Sequence, residues 1–292
     1  MSDGQTIEIT ALISEAGRGI LHQDYLMMRR YEADATHGGE ALTHMKTATY
    51  NLRTLLQVFK PYYKQKFVRY FDNGFKYIGM AVGRVDDLDA LIATFDPESD
   101  QEIMARLNQK RDKHYQYMIR LLNSKRYRVF MDDLEKFLTT EGRGTQRVKY
   151  DTIPTQVRHV LPVMIYQHLA DVKAFDVLVD DERSFKFHVL TLRVKRLRLL
   201  IERFEPVLGT SAQDYLQAVI QLQDYLEQVM DAKLAYRHLA SVIKKQDKLN
   251  KKHLKHAKKQ VLVLKDGFGE VWQTFNLRRV QQKLSTAILT LR

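Results

Sequence analysis

Two basic stretches of this chain repeat each other: Asn51-Leu52-Arg53-Thr54-Leu55-Leu56-Gln57-Val58-Phe59-Lys60-Pro61 and Arg196-Leu197-Arg198-Leu199-Leu200-Ile201-Glu202-Arg203-Phe204-Glu205-Pro206. The pairs Leu52/Leu197, Arg53/Arg198, Leu55/Leu200, Phe59/Phe204 and Pro61/Pro206 share one offset of 145 residues. A period that long points to duplication of a whole subdomain, with like halves facing each other. The chemistry such helices suit is anion binding. Arginine offers forked, charge-assisted hydrogen bonds to phosphate or carboxylate oxygens, and lysine offers a compact point charge.

On the second stretch His188, Thr191, Lys195, Arg198 and Glu202 recur at helical spacing, so one face runs for roughly 21 Å at 1.5 Å per residue. The apolar residues Leu190, Leu197, Ile201 and Phe204 take the opposite side. A rigid row of cations matches a linear polyanion, which carries charge at every step and presents no base edge. Such a face is also what any solvated helix shows, and Asp86, Asp87, Asp89 and Asp231 offer carboxylates that would pair with these arginines for folding. Both roles are compatible, because a carboxylate on one side of a guanidinium orients it for a phosphate on the other. The interval from Arg53 to Asp87 is matched within one residue by that from Arg198 to Asp231. A third basic element lies in residues 244–259, where eight lysines and two histidines stand against one aspartate. Lys244, Lys248, Lys251, Lys255 and Lys258 fall three or four apart and share a helical side.

The elements that must position these residues are helices. The 292-residue chain has only 13 glycines and 5 prolines, and Leu, Lys, Arg, Gln and Ala dominate, so the expected fold class is all-α. The periodicity predicts helices over residues 7–35, 41–59, 67–82, 99–122, 126–138, 157–179, 185–204, 212–230 and 271–291. Gly83 is expected to stop the third of these, and Pro206 with Gly209 the seventh. The polar stretch 139–154 is the expected boundary between an N-terminal half, 1–150, and a C-terminal half, 151–292. No cysteine is present, so disulfides, thiolate nucleophiles and cysteine zinc sites are excluded. The start of the chain lacks a basic-then-apolar leader and no run reaches the length of a membrane span, which leads us to expect a soluble, cytoplasmic protein. The net charge of +12 makes polyanions the candidate partners: nucleic acid, inorganic polyphosphate or anionic lipid.

The segment His188 to Arg198, with Lys195-Arg196-Leu197-Arg198, closely resembles the CHAD family, the conserved-histidine α-helical domain. Leu222-Gln223-Asp224 with Leu226, Asp231-Ala232, and Gly83 with Asp87-Leu88-Asp89 extend the likeness over residues 10–245. The resemblance implies two pseudo-symmetric four-helix bundles around a basic cleft that binds inorganic polyphosphate, with association to polyphosphate granules. Matched residue by residue, it implies Lys46, Arg53, His188, Lys195, Arg196 and Arg198 as the binding set. His44 and the lysines Lys244, Lys248, Lys251, Lys252 and Lys255 are accessory candidates. The first motif departs from the family pattern: Thr43 stands at the histidine position with His44 one residue later, Lys46 replaces an arginine, and Tyr50 and Asn51 replace a basic pair. In the second motif Thr191 replaces an arginine.

Enzymatic readings fit poorly. The chain has no phosphate-binding glycine loop, no serine elbow and no His-Glu-x-x-His helix. Adjacent acids such as Asp86/Asp87 and Asp132/Asp133 diverge by about 100° on a helix. His253 and His256 lack a carboxylate to complete a metal site, so neither cofactor nor metal is expected. The alternatives are a nucleic-acid-binding helical protein and, behind it, a metal-dependent polyphosphate hydrolase.

Overall fold

The computed structural model describes residues 7–146, 155–178, 186–243, 250–289 and 291. Eleven α-helices lie among the described residues: α1 (Ile13–Ala35), α2 (Gly39–Val58), α3 (Gln65–Ile92), α4 (Gln101–Leu122), α5 (Lys125–Thr139), α6 (Val157–Lys173), α7 (Phe187–Leu208), α8 (Thr210–Val242), α9 (Lys251–Asp266), α10 (Phe268–Asn276) and α11 (Arg278–Leu289). The fold is all-α, as the composition requires. Each helix buries the apolar stripe that its sequence repeats at three- and four-residue intervals. One continuous cluster of buried side chains runs from Ile13 in α1 to Leu291, with Phe59, Phe71, Phe75, Phe137, Phe204 and Tyr215 among its largest members. A second, smaller cluster joins α3, α4, α8 and α9 through Leu88, Leu91, Ile103, Leu107, Leu239 and Ala257.

The helix starting at residue 67 does not stop at Gly83. It continues to Ile92, because Gly79 and Gly83 open a slot on α3 for the side chain of Tyr50 in α2. A Cβ on Gly83 would lie 2.8 Å from the Tyr50 hydroxyl oxygen. Glycine here serves close approach of two helices and carries no stop signal. Likewise α7 passes through Pro206 and ends at Gly209, whose φ of +73° no other residue type tolerates well. Helix α8 runs twelve residues beyond the expected Met230, and the expected last helix breaks at Leu277 into α10 and α11.

Of the expected boundary segment, residues 147–154 lie outside the described residues. Its first part is fastened to the N-terminal helices. Buried Arg18 of α1 donates to the carbonyls of Phe137 and Arg143 and to the Thr145 hydroxyl, while its guanidinium packs over the Phe137 ring. The Lys64 amide donates to Gly144 O at 2.7 Å and the Gln146 amide to Tyr62 O at 2.8 Å. A reciprocal stitch ties the start of the chain to the second half: Ile13 N donates to Thr155 O at 2.8 Å and Val157 N to Ala11 O at 2.9 Å.

Helix α6 packs on α7 and brings His168 beneath the latter's arginines. Burial drives the His168 imidazole down to about 4; Asp171 opposes this, and Arg196 and Arg193 add to it. The side chain is 14% exposed, and among the described residues its Nδ1 has no hydrogen-bond partner.

Two stability predictions follow from these packings. Gly74 of α3 faces Phe130 of α5 so closely that a Cβ would run into the ring. Gly74→Ala, which would gain about 1 kcal/mol in an open helix, should instead lower unfolding stability by about 1–2 kcal/mol in urea titration. The His168 imidazole is neutral when folded and binds a proton more readily when unfolded. Stability is therefore full above the ordinary histidine value and falls as pH drops from about 6.5 towards about 4. The difference in stability between wild type and His168→Gln should be flat above pH 7 and change by on the order of 2 kcal/mol by pH 4 in the variant's favour. A pH-independent difference would show that the imidazole does not titrate with unfolding.

Candidate functional site

The repeated helices α2 and α7 lie directly against each other. Leu52, Leu55, Leu197 and Leu200 are fully buried, and the motif phenylalanines Phe59 and Phe204 meet with ring centroids 6.3 Å apart. Because apolar and charged residues alternate on both helices, closing the apolar contact carries the charged flanks towards one another. Lys46 of α2 and Lys195 of α7 come near enough for their charges to oppose, and so do Arg53 and Arg196. The sequence-derived cations Lys46, Arg53, Lys195 and Arg196 thus flank a single seam.

Their neutralisation is uneven. On the α2 side, Lys46 donates to Asp86 at 2.8 Å and to Asp87 at 2.6 Å, both on α3, and Thr43 also bonds Asp86. Burial opposes the Lys46 charge, but Asp87 and Asp86 outweigh it and hold the ammonium above the ordinary lysine range. Arg53 grips Asp72 of α3 with Nε at 2.9 Å and Nη2 at 3.4 Å, and Gln57 shares the same carboxylate. Asp72 was not singled out in the sequence. Its position on α3 opposite Arg53 becomes visible only once α2 and α3 are paired.

On the α7 side, Arg193 bonds Asp171 of α6 at 2.5 Å, Arg198 lies 3.4 Å from Glu202 one turn along, and Arg203 reaches Asp24 of α1 at 2.7 Å. Asp24 is buried, which raises its proton affinity, while Arg203 pulls it back down. This pair ties α1 to α7. Lys195 and Arg196 make no ion pair among the described residues. Burial lowers the Lys195 proton affinity; Glu227 and Asp24 favour its charge, and Arg198 and Lys46 oppose it. Burial and Arg193 pull Arg196 the same way, Asp171 and Asp72 pull back, and Arg53 adds to the repulsion. The Lys195 ammonium sits 5.8 Å from the centroid of Tyr50.

The remaining candidates lie apart. His188 is exposed near the start of α7, and Thr191 turns its hydroxyl back to Phe187 O at 2.8 Å. His44 stacks on Tyr31 of α1, centroids 4.6 Å apart, and so faces a different flank of α2 from Lys46. Lys251, Lys252 and Lys255 are exposed on α9, while Lys244 and Lys248 lie outside the described residues. Helix α9 is held to the connection between α3 and α4 by His253, whose Nε2 is 3.0 Å from Asp100 and whose ring meets Phe95 edge-on.

A cavity of 860 Å³ lies between α3, α8 and α9. It joins Lys46 to His256 and Lys259, and also contains Asp86, Asp87 and Asp231. Burial raises the Asp231 proton affinity, Lys46 opposes this, and Asp87, Glu227 and Asp86 reinforce it. The two aspartates that recur at matched intervals in the sequence, Asp87 and Asp231, therefore share one chamber, and they make it mixed in charge. Among the described residues no group of three or more His, Asp or Glu side chains is arranged to hold a metal ion. No helix is long and apolar enough to cross a membrane, among those described.

The architecture is shared with known structures. The crystal structure of the CHAD domain from the plant Ricinus communis superposes with a TM-score of 0.71 at 18% identity, over 99% of this chain and 96% of that one. PptA from Streptomyces chartreusis superposes with a TM-score of 0.56 at 12% identity, over 90% of this chain and 100% of that one. At such identities the likeness concerns the fold alone. No curated protein sequence matches the chain. The CHAD domain family model, however, matches residues 19–240, and the α2–α7 seam and both motifs lie within that span: this chain belongs to the CHAD domain family.

Proposed function

We propose that this protein binds inorganic polyphosphate, without transforming it, along the seam between α2 and α7. The observation that carries the reading is the state of Lys195 and Arg196: two half-buried cations, pressed by like charges, with no bonded carboxylate among the described residues. A phosphate chain relieves that repulsion, since each oxygen accepts from a cation that has no competing partner. Membership of the CHAD family, which is associated with polyphosphate binding, supports the same ligand.

In this reading Lys195 and Arg196 are the principal contacts. Arg53, Lys46 and Arg198 flank them, each pre-oriented by its own carboxylate, and His188 lies beyond at the start of α7. The exposed Lys251, Lys252 and Lys255 of α9, together with Lys244, Lys248 and His44, raise the local anion concentration without fixing its geometry. Recruitment of the protein to polyphosphate deposits in the cytoplasm follows naturally from such binding.

Single-stranded nucleic acid would need an aromatic face beside the cations for base stacking. Phe59 and Phe204 are fully buried, and the ring of Tyr50 has Lys195 nearby and abuts Gly79 and Gly83. That arrangement favours a ligand without bases. Hydrolysis would need metal-holding acids inside the basic seam, and Asp86 and Asp87 are committed to Lys46.

The test is retention on immobilised polyphosphate against single- and double-stranded DNA, at low and moderate salt, with and without Mg²⁺. Polyphosphate should retain the protein at salt concentrations that release it from DNA, with no orthophosphate appearing. Lys195→Ala with Arg196→Ala should weaken capture about tenfold to a hundredfold, with the thermal midpoint equal to or above that of wild type. The same loss from exposed Lys64→Ala with Lys136→Ala would reduce the binding to bulk charge attraction. A second measurement addresses Arg53. Asp72→Asn removes the carboxylate that neutralises it, so the Kd for polyphosphate should tighten about threefold to tenfold, while stability falls by no more than about 1 kcal/mol. An unchanged Kd would place Arg53 off the ligand.

A further inference from the structure

A second cluster of cations lies outside the seam, where α3, α4 and α8 meet. Lys110 and His114 stand one turn apart on α4, His238 and Ser241 one turn apart on α8, and Arg84 projects from α3. The Lys110 ammonium is 3.1 Å from His238 Nδ1 and 2.6 Å from the Ser241 hydroxyl. Ser241 in turn donates to His238 O at 2.6 Å, which fixes it in the group. Arg84 is exposed, whereas Lys110, His114 and His238 are half-buried. Among the described residues no carboxylate hydrogen-bonds to Arg84, Lys110, His114, Arg237 or His238.

The groups facing each histidine account for its charge. Burial lowers His114, with Arg84 and Lys110 adding to it. Burial and Lys110 lower His238; Asp87 of α3 opposes, and His114 and Arg237 reinforce. Asp87, the carboxylate that favours the charged form of His238, is already bonded to Lys46. Lys110 itself is lowered by burial and by Arg84. Protein folding has gathered four basic groups here with no hydrogen-bonded carboxylate among the described residues.

We propose that Arg84, Lys110, His114 and His238, with the Ser241 hydroxyl, form a second oxyanion site that takes a phosphate group and gains affinity as the pH falls. In the empty state Lys110 donates directly to a neutral His238 through Nδ1. A phosphate oxygen entering between them accepts from the ammonium and from the newly protonated Nδ1, replacing a nitrogen–nitrogen hydrogen bond with two charge-assisted ones. Arg84 supplies a forked donor at the exposed side, and His114 contributes a second proton-dependent donor. The sign follows from the neutral resting state: an anion favours both imidazolium forms, so binding takes up protons and strengthens on acidification.

The probe is inorganic pyrophosphate, read by NMR titration of the His114 and His238 rings, assigned through His114→Gln and His238→Gln. Against sodium chloride at equal ionic strength, millimolar pyrophosphate should raise the titration midpoint of both rings by about one pH unit. The association constant should rise about threefold to tenfold between pH 8 and pH 6. Lys110→Met should abolish the pyrophosphate response of His238. Should that variant fold poorly, Arg84→Gln at the exposed edge should still weaken it at least about threefold. Midpoints that move no further in pyrophosphate than in chloride would overturn the site, as would a response undiminished in both variants. The readout is confined to these two rings and the probe is too short to bridge to α7, so the outcome is independent of whether the seam captures long chains.

Discussion

The apolar contact between α2 and α7 sets the electrostatics of the molecule. Leu52, Leu55 and Phe59 must bury themselves against Leu197, Leu200 and Phe204, and Leu52, Leu197 and Phe204 each stand next to an arginine in sequence. Burying a leucine or phenylalanine is worth about 1.5–3 kcal/mol, more than the repulsion between partly solvated like charges removes. The helices therefore close in spite of the charges they bring together. The resulting repulsion is left for carboxylates or for a ligand to resolve.

Carboxylates resolve it on the α2 side and only partly on the α7 side. Helix α3 offers Asp72, Asp86 and Asp87 in register with Arg53 and Lys46, so the first motif is largely self-neutralised. Around α7, Asp171, Glu202 and Asp24 engage Arg193, Arg198 and Arg203, and among the described residues Lys195 and Arg196 are passed over. This asymmetry matches the sequence. The first motif carries the substitutions Thr43, Tyr50 and Asn51, and Tyr50 fills the slot between α2 and α3 that Gly79 and Gly83 leave. One half of the seam has been built for packing and the other retains unpaired charge.

Glycines and histidines show where local rules mislead. Gly83 reads as a helix stop by propensity, yet the 28-residue α3 runs through it because a tyrosine from another helix needs the space. His253 and His256 look equivalent on the lysine-rich helix. His253 instead anchors α9 to Asp100, while His256 opens onto the mixed-charge cavity beside Lys259. Two neighbours in one segment thus serve different ends, decided by what packs opposite each.

The amino-acid sequence by itself determined the all-helical class, the apolar stripes, the repeated motif and the excess of positive charge, because these depend on composition and on spacings along one helix. It also made the family resemblance readable from His188 and Lys195 to Arg198. Only the tertiary structure decided which cations are quenched. Arg53 and Asp72, Arg203 and Asp24, and Lys110 and His238 are brought together by helices distant in sequence. A charge's partner depends on the rotation and register of the opposing helix, and those are fixed by apolar packing throughout the core, a property no single segment contains.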